Sequence, residues 1–564
     1  MARKKEVIKT ENIVDIDLVD EVENSFLTYA ISKISSALPS VYDGLTVVQR
    51  RILWAFYTLN RGKRTKTAQV VGTVIGNLHP HGDSGVAGAI ATLARPFGVN
   101  HNLIFSDSSM GSIDGDGEAA PRYTEVELSK FALDAFFDPM LLKVTDMIDN
   151  YLATEKEPSS FVTWCPPLVT HNNSKISVAY ATNYPALNLN EVVSFIEYLC
   201  KKNAKSKDVG KYTVTDEEVM KYIQGPDFDS GCTIFNVSKR EGSTSVRDFL
   251  VNGSTTLYMM PKIELVKASK KVRGGMADEL VIREIPWGIT TERIMDAIRN
   301  ANIKLLEGKP YLATGIGANG RLTSFAASKN KEVPTDNSYI LKGRDGLVNY
   351  SRGVDNVEIR IGLKLGTDPR VAFNSICEIL LKDFNLSVHV TMVDDKGKPY
   401  RRISYSTLMR VYLNRLYERL ERGLQNEKDI LLEKNRLIEA KIKILTDRKN
   451  KAKFLDIIEN SANRKEAVQV INKTFGLKDE AIVMSLMDIA YSSGINKGEL
   501  FKKEISENLK AIEVIDGNLK DINKFMIDKF KSLAKIHDRP RRTRMVDVDK
   551  LYDSDMLWKH LLIK

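Results

Sequence analysis

Cysteine is scarce in this chain. Cys165, Cys200, Cys232 and Cys377 are the only four in 564 residues, and no two form a CxxC pair. Such spacing excludes a zinc ribbon and a disulfide scaffold, and suits a reducing cytosol. Long apolar runs are also missing: no stretch reaches the roughly 18 residues that a membrane helix needs. The opening segment MARKKEVIKTEN is basic but lacks an apolar core, so it is not a secretion signal and a cytoplasmic location is expected. Nucleotide and metal signatures are absent as well. There is no GxxxxGK loop, and the acidic clusters do not form a DxD site in strand context. His79-Pro-His81-Gly-Asp83 begins an HxHxDH ligand pattern, but Ser84 stands where its last histidine belongs. Asp114-Gly-Asp116-Gly-Glu118 lacks the complete calcium-loop ligand set and reads as a small-residue turn. Gly315-Ile-Gly317-Ala-Asn-Gly320 is a literal GxGxxG, but no helix or suitably spaced acid follows it, so it reads as a hairpin turn.

What is present is an ordinary globular composition, 43% hydrophobic and 28% charged, long enough for roughly three to five domains. Lys and Arg total 83 against 73 Asp and Glu, a net +10 that is compatible with a polyanionic partner. Its distribution says more. VVQRRILWAFYTL has helical periodicity with Arg50 and Arg51 at its start, and RGKRTKTAQVVGTVIGNL is a basic turn leading into a small-residue helix. Basic residues at short helices suit a helix-turn-helix-like module facing phosphates; the plain alternative is a solvated charged face. His79, His81 and Ser84 near the next helix start can also contact phosphate. Then comes GSIDGDGEAAPRYTEVEL, Gly111 to Leu128. Pro121 suits a first helical turn, which predicts that the Tyr123 hydroxyl and the Arg122 guanidinium meet at the exposed mouth of a helix. A tyrosine so placed can serve as a covalent nucleophile, although among 20 tyrosines many merely pack.

Beyond Asn150 the texture changes. KISVAYA, LVIREIP and VEIRIGLKL alternate as half-buried strands do, and turn signals break them at Gly225-Pro226-Asp227, Asn252-Gly253 and Asn319-Gly320. This predicts a mixed α/β region over 151–400. Tyr417, Leu424, Leu431, Ile438 and Leu445 then recur every seven residues within one long helix from Tyr405 to Leu445. A second run of Ile505, Ile512, Leu519, Met526 and Leu533 predicts an antiparallel coiled coil around a small helical tip suited to dimerisation. The basic HDRPRRTRM near the end either contacts nucleic acid or is a charged terminus.

Taken in order, SALPSVYDGL, QRRILWAF, VVGTVIGNLHPHGDS, GSIDGDGEAAPRYTE, YATNYPALNLNEV, QGPDFDSG, REIPWGIT and DRPRRTR span nearly the whole chain. Their colinear order resembles the breakage-reunion (A) subunit of bacterial type IIA topoisomerases, the gyrase and topoisomerase IV family. The resemblance implies a helix-rich, multidomain α+β fold. Its parts would be an N-terminal arm (1–30), a winged-helix (CAP-like) DNA-gate domain with the tyrosine (31–150) and a tower domain (151–400). Coiled-coil helices (401–450 and 496–536) would flank a dimerisation tip (451–495), followed by a basic tail (537–564). It also implies that Tyr123 attacks a DNA phosphodiester to form a 5′-phosphotyrosyl link, with Arg122 stabilising the phosphate and His81 assisting proton transfer. Arg50, Arg51, His79 and Ser84 would line double-stranded DNA, and Ile176 would wedge between base steps, unless it is simply a core isoleucine.

The family further implies a B subunit that hydrolyses ATP and brings Mg2+ in a Toprim domain, giving an A2B2 heterotetramer on nucleoid or viral DNA. Departures from the family pattern shape the expected activity. Ser36 and Thr46 replace an arginine and a lysine, which removes two phosphate-facing charges and weakens DNA binding. Gly88 replaces the acid that follows Ser84 in quinolone-sensitive relatives, so weak quinolone action is expected. No C-terminal pinwheel follows the coil, so relaxation or decatenation is expected rather than negative supercoiling, as in a compact phage or mobile-element enzyme. A catalytically silent DNA-binding protein on the same fold is the alternative.

Overall fold

The computed structural model describes residues 17–170, 173–240, 243–267, 278–306, 314–316, 322–324, 347–353, 355–363, 369–445, 447–476, 483–484, 498–547 and 562–563. Helix α1 (Leu18–Ala37) runs through residue 30, where the sequence placed the end of an arm, and leaves Leu18, Val22, Phe26 and Leu27 exposed. Helix α2 (Val47–Asn60) opens where the Thr46 amide donates to Gln49 Oε1 at 2.9 Å, and stops at Arg61 in the left-handed region, φ 61°. Strand β1 (Thr65–Lys66) leads into α3 (Thr67–Thr73), which runs on into a single π turn (Val74–Leu78); α4 (Asp83–Ala94) follows. Ile52, Leu53 and Phe56 of α2 are fully buried in the core that also holds Val70, Val74 and Ile90 from the two later helices. Against these helices lies a three-stranded antiparallel sheet, with β3 (Glu125–Leu128) between β1 and β2 (Ile104–Phe105). Gly62 is required here: its φ is +78°, and a Cβ would come within 2.7 Å of the Leu128 side chain.

Two larger sheets form the middle of the molecule. The six-stranded sheet runs in the order Thr543–Asp547, Cys232–Asn236, Ser254–Met260, Asn385–His389, Ala181–Tyr184, Asn173–Ile176. The five-stranded sheet is ordered Leu347–Asn349, Ile359–Gly362, Glu279–Ile282, Ile263–Val266, Leu562–Ile563. The stretch around Gly315 is a two-stranded antiparallel pair, Thr314–Ile316 with Leu322–Ser324; its Gly317–Gly320 turn, including Asn319-Gly320, lies outside the described residues.

The basic segment after the helix Ile522–Ile536 is not a free tail. Thr543–Asp547 pairs in parallel with Cys232–Asn236. The QGPDFDSG turn receives it: Asp227 Oδ1 accepts from the amides of Arg542 and Thr543 at 3.0 and 2.9 Å. Arg541 ion-pairs with Glu191 at 2.9 Å and Arg544 with Glu284 at 2.6 Å, while Arg539 donates to the Asn100 carbonyl at 2.5 Å. These arginines act in docking a strand rather than as an open surface.

One 41-residue helix, Tyr405–Leu445, carries the whole first heptad run. The second heptad run is broken into Gly498–Lys520 and Ile522–Ile536, because Asp521 caps the latter by accepting from the Lys524 amide at 2.9 Å. Lys428–Asp516 at 2.7 Å and Lys434–Glu504 at 2.8 Å fix the pair as antiparallel. At the far end Arg448–Asn460 and Arg464–Phe475 enclose a separate small core of Ile444, Phe454, Val468 and Ile471.

Candidate functional site

The strand β3 decides how Tyr123 is presented. Val126 and Leu128 are buried while Glu125 and Glu127 face outward, so EVEL alternates with strand period, and pairing on both sides with β1 and β2 overrides any helical start. Pro121-Arg122-Tyr123 is therefore a tight turn before a strand, not the first turn of a helix as the proline suggested. The Tyr123 amide donates to the Ala120 carbonyl at 2.9 Å. Its neighbours serve the start of α3, whose Thr67 and Ala68 amides are satisfied by the carbonyls of Thr124 (3.0 Å) and Pro121 (3.2 Å). Thr124 Oγ1 also donates to Thr67 Oγ1 at 2.7 Å. Held from both sides, Tyr123 stands 70% exposed, with the Arg122 guanidinium 4.6 Å over its ring.

A second group forms where the π turn ends. His79 and His81 stack at 4.1 Å with planes 8° apart. Arg51 holds Glu157 with two bonds of 2.7 Å and reaches His79 Nδ1 at 3.0 Å. Arginine has no acceptor, so this contact assigns Nδ1 as the unprotonated nitrogen of a neutral His79. Burial, then the charges of His81 and Arg51, lower its pKa from 6.5 to about 4. Glu157 comes from a hairpin (Met147–Asp149 with Lys156–Pro158) that braces the π turn, whose Asn77 and Gly76 carbonyls accept from Asn150 Nδ2 and the Tyr151 hydroxyl at 2.8 and 2.7 Å. No sequence signal marks Glu157 as the arginine's partner, 106 residues away. His81 and Ser84 are exposed at the head of α4, with the Ser84 amide donating to Asp83 Oδ1 at 2.8 Å.

Arg50 does not join this surface. It is 6% exposed, with Nε 2.7 Å and Nη2 3.1 Å from Asp43 and a third bond to the Leu45 carbonyl at 3.3 Å. Burial disfavours its charge, yet the Asp43 carboxylate holds its pKa above the ordinary arginine value. Arg50, expected from sequence to line DNA, is here held inside by Asp43: one of two adjacent arginines faces in. Ile176 is the reverse case. At 86% exposure, ending the first strand of the hairpin Asn173–Ile176/Ala181–Tyr184, it is not a core residue.

The acids of the loop before Tyr123 are occupied separately. Asp116 accepts from Ser112 Oγ at 2.6 Å, Asp114 accepts from Thr291 and Asn349, and Glu118 lies 3.9 Å from Arg95. Among the described residues no group of three or more His, Cys, Asp or Glu side chains could hold a metal ion, so the acids of this loop do not fit a resident metal. Nor is any helix among them long and apolar enough to cross a membrane. A cleft of about 410 Å³ opens beside the loop between Arg95, Ser112, Lys175 and the segment Ile285–Thr290; burial there lowers the Lys175 pKa.

The family model for the A subunit of DNA gyrase/topoisomerase IV matches residues 36–308, a span that holds Arg51, His79, His81, Ser84, Arg122, Tyr123 and Ile176. The DNA gyrase A subunit of Metamycoplasma arthritidis is 28% identical over 94% of this chain and 54% of its own length. That of Thermotoga maritima is 27% identical over 97% of this chain and 61% of its own. The protein of the same name from Buchnera aphidicola is 36% identical over 54% of this chain and 34% of its own. The chain therefore spans little more than half the length of the two relatives that align along most of it. Over residues 36–308 it is similar to the A subunits of DNA gyrase and topoisomerase IV, and its similarity to gyrase A subunits extends along most of the chain.

Proposed function

We propose that this chain is the DNA cleavage and religation subunit of a type II topoisomerase. The observation that carries the reading is Tyr123, exposed at a rigid turn under the Arg122 guanidinium. The phenolic oxygen of Tyr123 attacks a backbone phosphorus. The P–O bond to the 3′ oxygen breaks, a 5′-phosphotyrosyl ester forms, and the leaving oxygen takes up a proton to become a 3′-hydroxyl. Arg122 stabilises the charge that builds on the phosphate, and exposed His81 is the proton carrier. The ester bond exchanged is of the same type, so religation needs no outside energy. Arg51, tied to Glu157, orients His79 beside the DNA, and Ser84 meets a phosphate at the head of α4.

The three helices with their small sheet act as a winged-helix DNA gate, and Ile176 enters a base step, where unstacking costs about a few kcal/mol offset by wider contact. The sheets would form the tower, and the coil and its tip the contact with a second copy. ATP hydrolysis and Mg2+ would come from a gyrase B-type partner in an A2B2 assembly. The test mixes the chain with such a partner, plasmid and Mg2+, followed by detergent trapping. The expected product is protein covalently attached to 5′ DNA ends, lost in Tyr123→Phe. Linked DNA with Tyr123→Phe would overturn the nucleophile, and no linkage with the wild type would favour a silent DNA-binding protein.

A further inference from the structure

We infer that Ile113 and Asp114 are positioning residues that tie the approach of Tyr123 to the five-stranded sheet; this rests on Tyr123 being the nucleophile. On its C-terminal side Tyr123 is held by β3. On its N-terminal side it follows a loop that closes on itself. Met110 and Glu118 form a bridge, the Ala119 amide donates to the Ser109 carbonyl at 3.0 Å, and the Ser112 amide to the Asp116 carbonyl at 3.2 Å. Gly111 (φ +100°) and Gly115 (φ +106°) make the bends, and a Cβ on Gly111 would come 3.0 Å from the Asp116 carbonyl oxygen. A loop so cross-braced moves as one piece.

Its apex belongs to another part of the molecule. Ile113 is buried in the second core, together with Ile282, Ile285, Ile294 and Ile359 of the five-stranded sheet and the segments packed on it. The Ile113 carbonyl accepts from the Thr291 amide at 3.0 Å. Asp114 Oδ1 accepts from the Thr291 hydroxyl and from Asn349 Nδ2, the latter at 2.7 Å. Thr291 is fully buried and begins the helix Thr291–Leu306, while Asn349 ends the strand Leu347–Asn349. Asp114 itself is exposed, so its carboxylate contributes contacts to the sheet rather than core packing. Tyr258 and Met260 carry the same core into the six-stranded sheet, which ends at the Ile176 hairpin. A shift of the sheets as DNA bends would therefore drag the loop, and with it the tyrosine, toward or away from in-line attack.

The test measures the rate of covalent complex formation at saturating duplex with the B-type partner and Mg2+, alongside DNA affinity and melting temperature. Asp114→Ala and Thr291→Val should each slow linkage about tenfold or more, since a misplacement of about 1 Å can cost about 10²-fold, while affinity and melting stay at wild-type values. Asp114→Asn and Thr291→Ser, which keep the acceptor and the hydroxyl, should restore the rate. The double variant Asp114→Ala/Thr291→Val should be little slower than Asp114→Ala alone, because losing the carboxylate already removes its bond to Thr291 as well as that to Asn349. Wild-type rates in Asp114→Ala and Thr291→Val would overturn the inference, as would losses of melting temperature and affinity in step with the rate. Linkage that persists in Tyr123→Phe would instead sink the nucleophile assignment itself.

Discussion

Replacing Arg50 by alanine separates two roles that the sequence cannot distinguish. The Asp43 carboxylate, with no exposed side-chain surface, takes four bonds: from Arg50 Nε at 2.7 Å, Arg50 Nη2 at 3.1 Å, and the Leu45 and Phe161 amides at 2.9 Å each. It joins α2 to the Ser40–Leu45 turn and to the Phe161 segment that follows the Lys156–Pro158 strand. Arg50→Ala leaves that buried charge without its cation, which costs roughly 3–5 kcal/mol. At about 1.4 kcal/mol per tenfold, local opening of α2 and of the Phe161 region should rise by a factor on the order of 10² to 10⁴. Hydrogen exchange at these amides reads this directly, with a lowered melting temperature beside it. Asp43→Leu should be worse than Arg50→Met, because it strands two backbone amides at about 1–3 kcal/mol each. DNA affinity measured against salt is the counter-assay. A lost phosphate contact would flatten the slope of log K against log salt by about 0.9, whereas a structural arginine leaves it unchanged under conditions where the variant is folded. An Arg50→Ala protein with wild-type melting and a flattened slope would refute the burial reasoning.

Acid should loosen the helical region through its histidines. His79, driven by burial and then by His81 and Arg51, has its pKa at about 4, and His101, driven by burial and then by Arg539 and His537, at about 3. Both lie below the unfolded value of 6.5, so the stability they carry is complete above pH 6.5 and drains as pH falls toward 4 for His79 and 3 for His101. Melting temperature followed from pH 7.5 to 4 should fall less steeply in His101→Gln than in the wild type. Between the helices Tyr405–Leu445 and Gly498–Lys520, Asn435 and Asn508 are buried and bonded side chain to side chain at 2.7 Å. Asn435→Leu alone should cost about 1–3 kcal/mol by stranding Asn508, while the paired Leu variant should melt higher and lose its unique register in cross-linking. Ile176→Ala should leave stability within about 0.5 kcal/mol, because the side chain touches little, yet reduce DNA bending measured by energy transfer between end-labelled duplex termini. Unchanged bending would remove Ile176 from the proposed wedge.

Legibility in the sequence followed the range of the interaction. The heptads are local and repeated, so a long helix through Tyr417–Leu445 was legible in the sequence. The Asp521 break was not, because a single capping aspartate looks like any surface acid in a heptad run. The alternation in EVEL was also there to read beside Tyr123, but Pro121 is equally at home in a turn and in a first helical turn, and only pairing with β1 and β2 decides between them. Ions were the least legible. Arg50 and Arg51 are adjacent and chemically identical, yet one is claimed by Asp43 seven residues earlier and the other by Glu157, 106 residues later. Arg541 and Arg544 likewise look free in DRPRRTR until Glu191 and Glu284 arrive from elements some 350 and 260 residues away.

A basic run in this chain is therefore a statement about where its acids are. Once the docked arginines and Arg50 are set aside, the candidate site keeps its cations at Arg122 and Arg51, each held by a specific neighbour: the Tyr123 ring for one, Glu157 and His79 for the other. Such a site would bind a phosphate by pre-aimed groups rather than by net charge. Its affinity should then respond far more to Arg122→Ala than to removal of any one exposed lysine, such as Lys63, and the same pair of variants compared at high salt should keep that order.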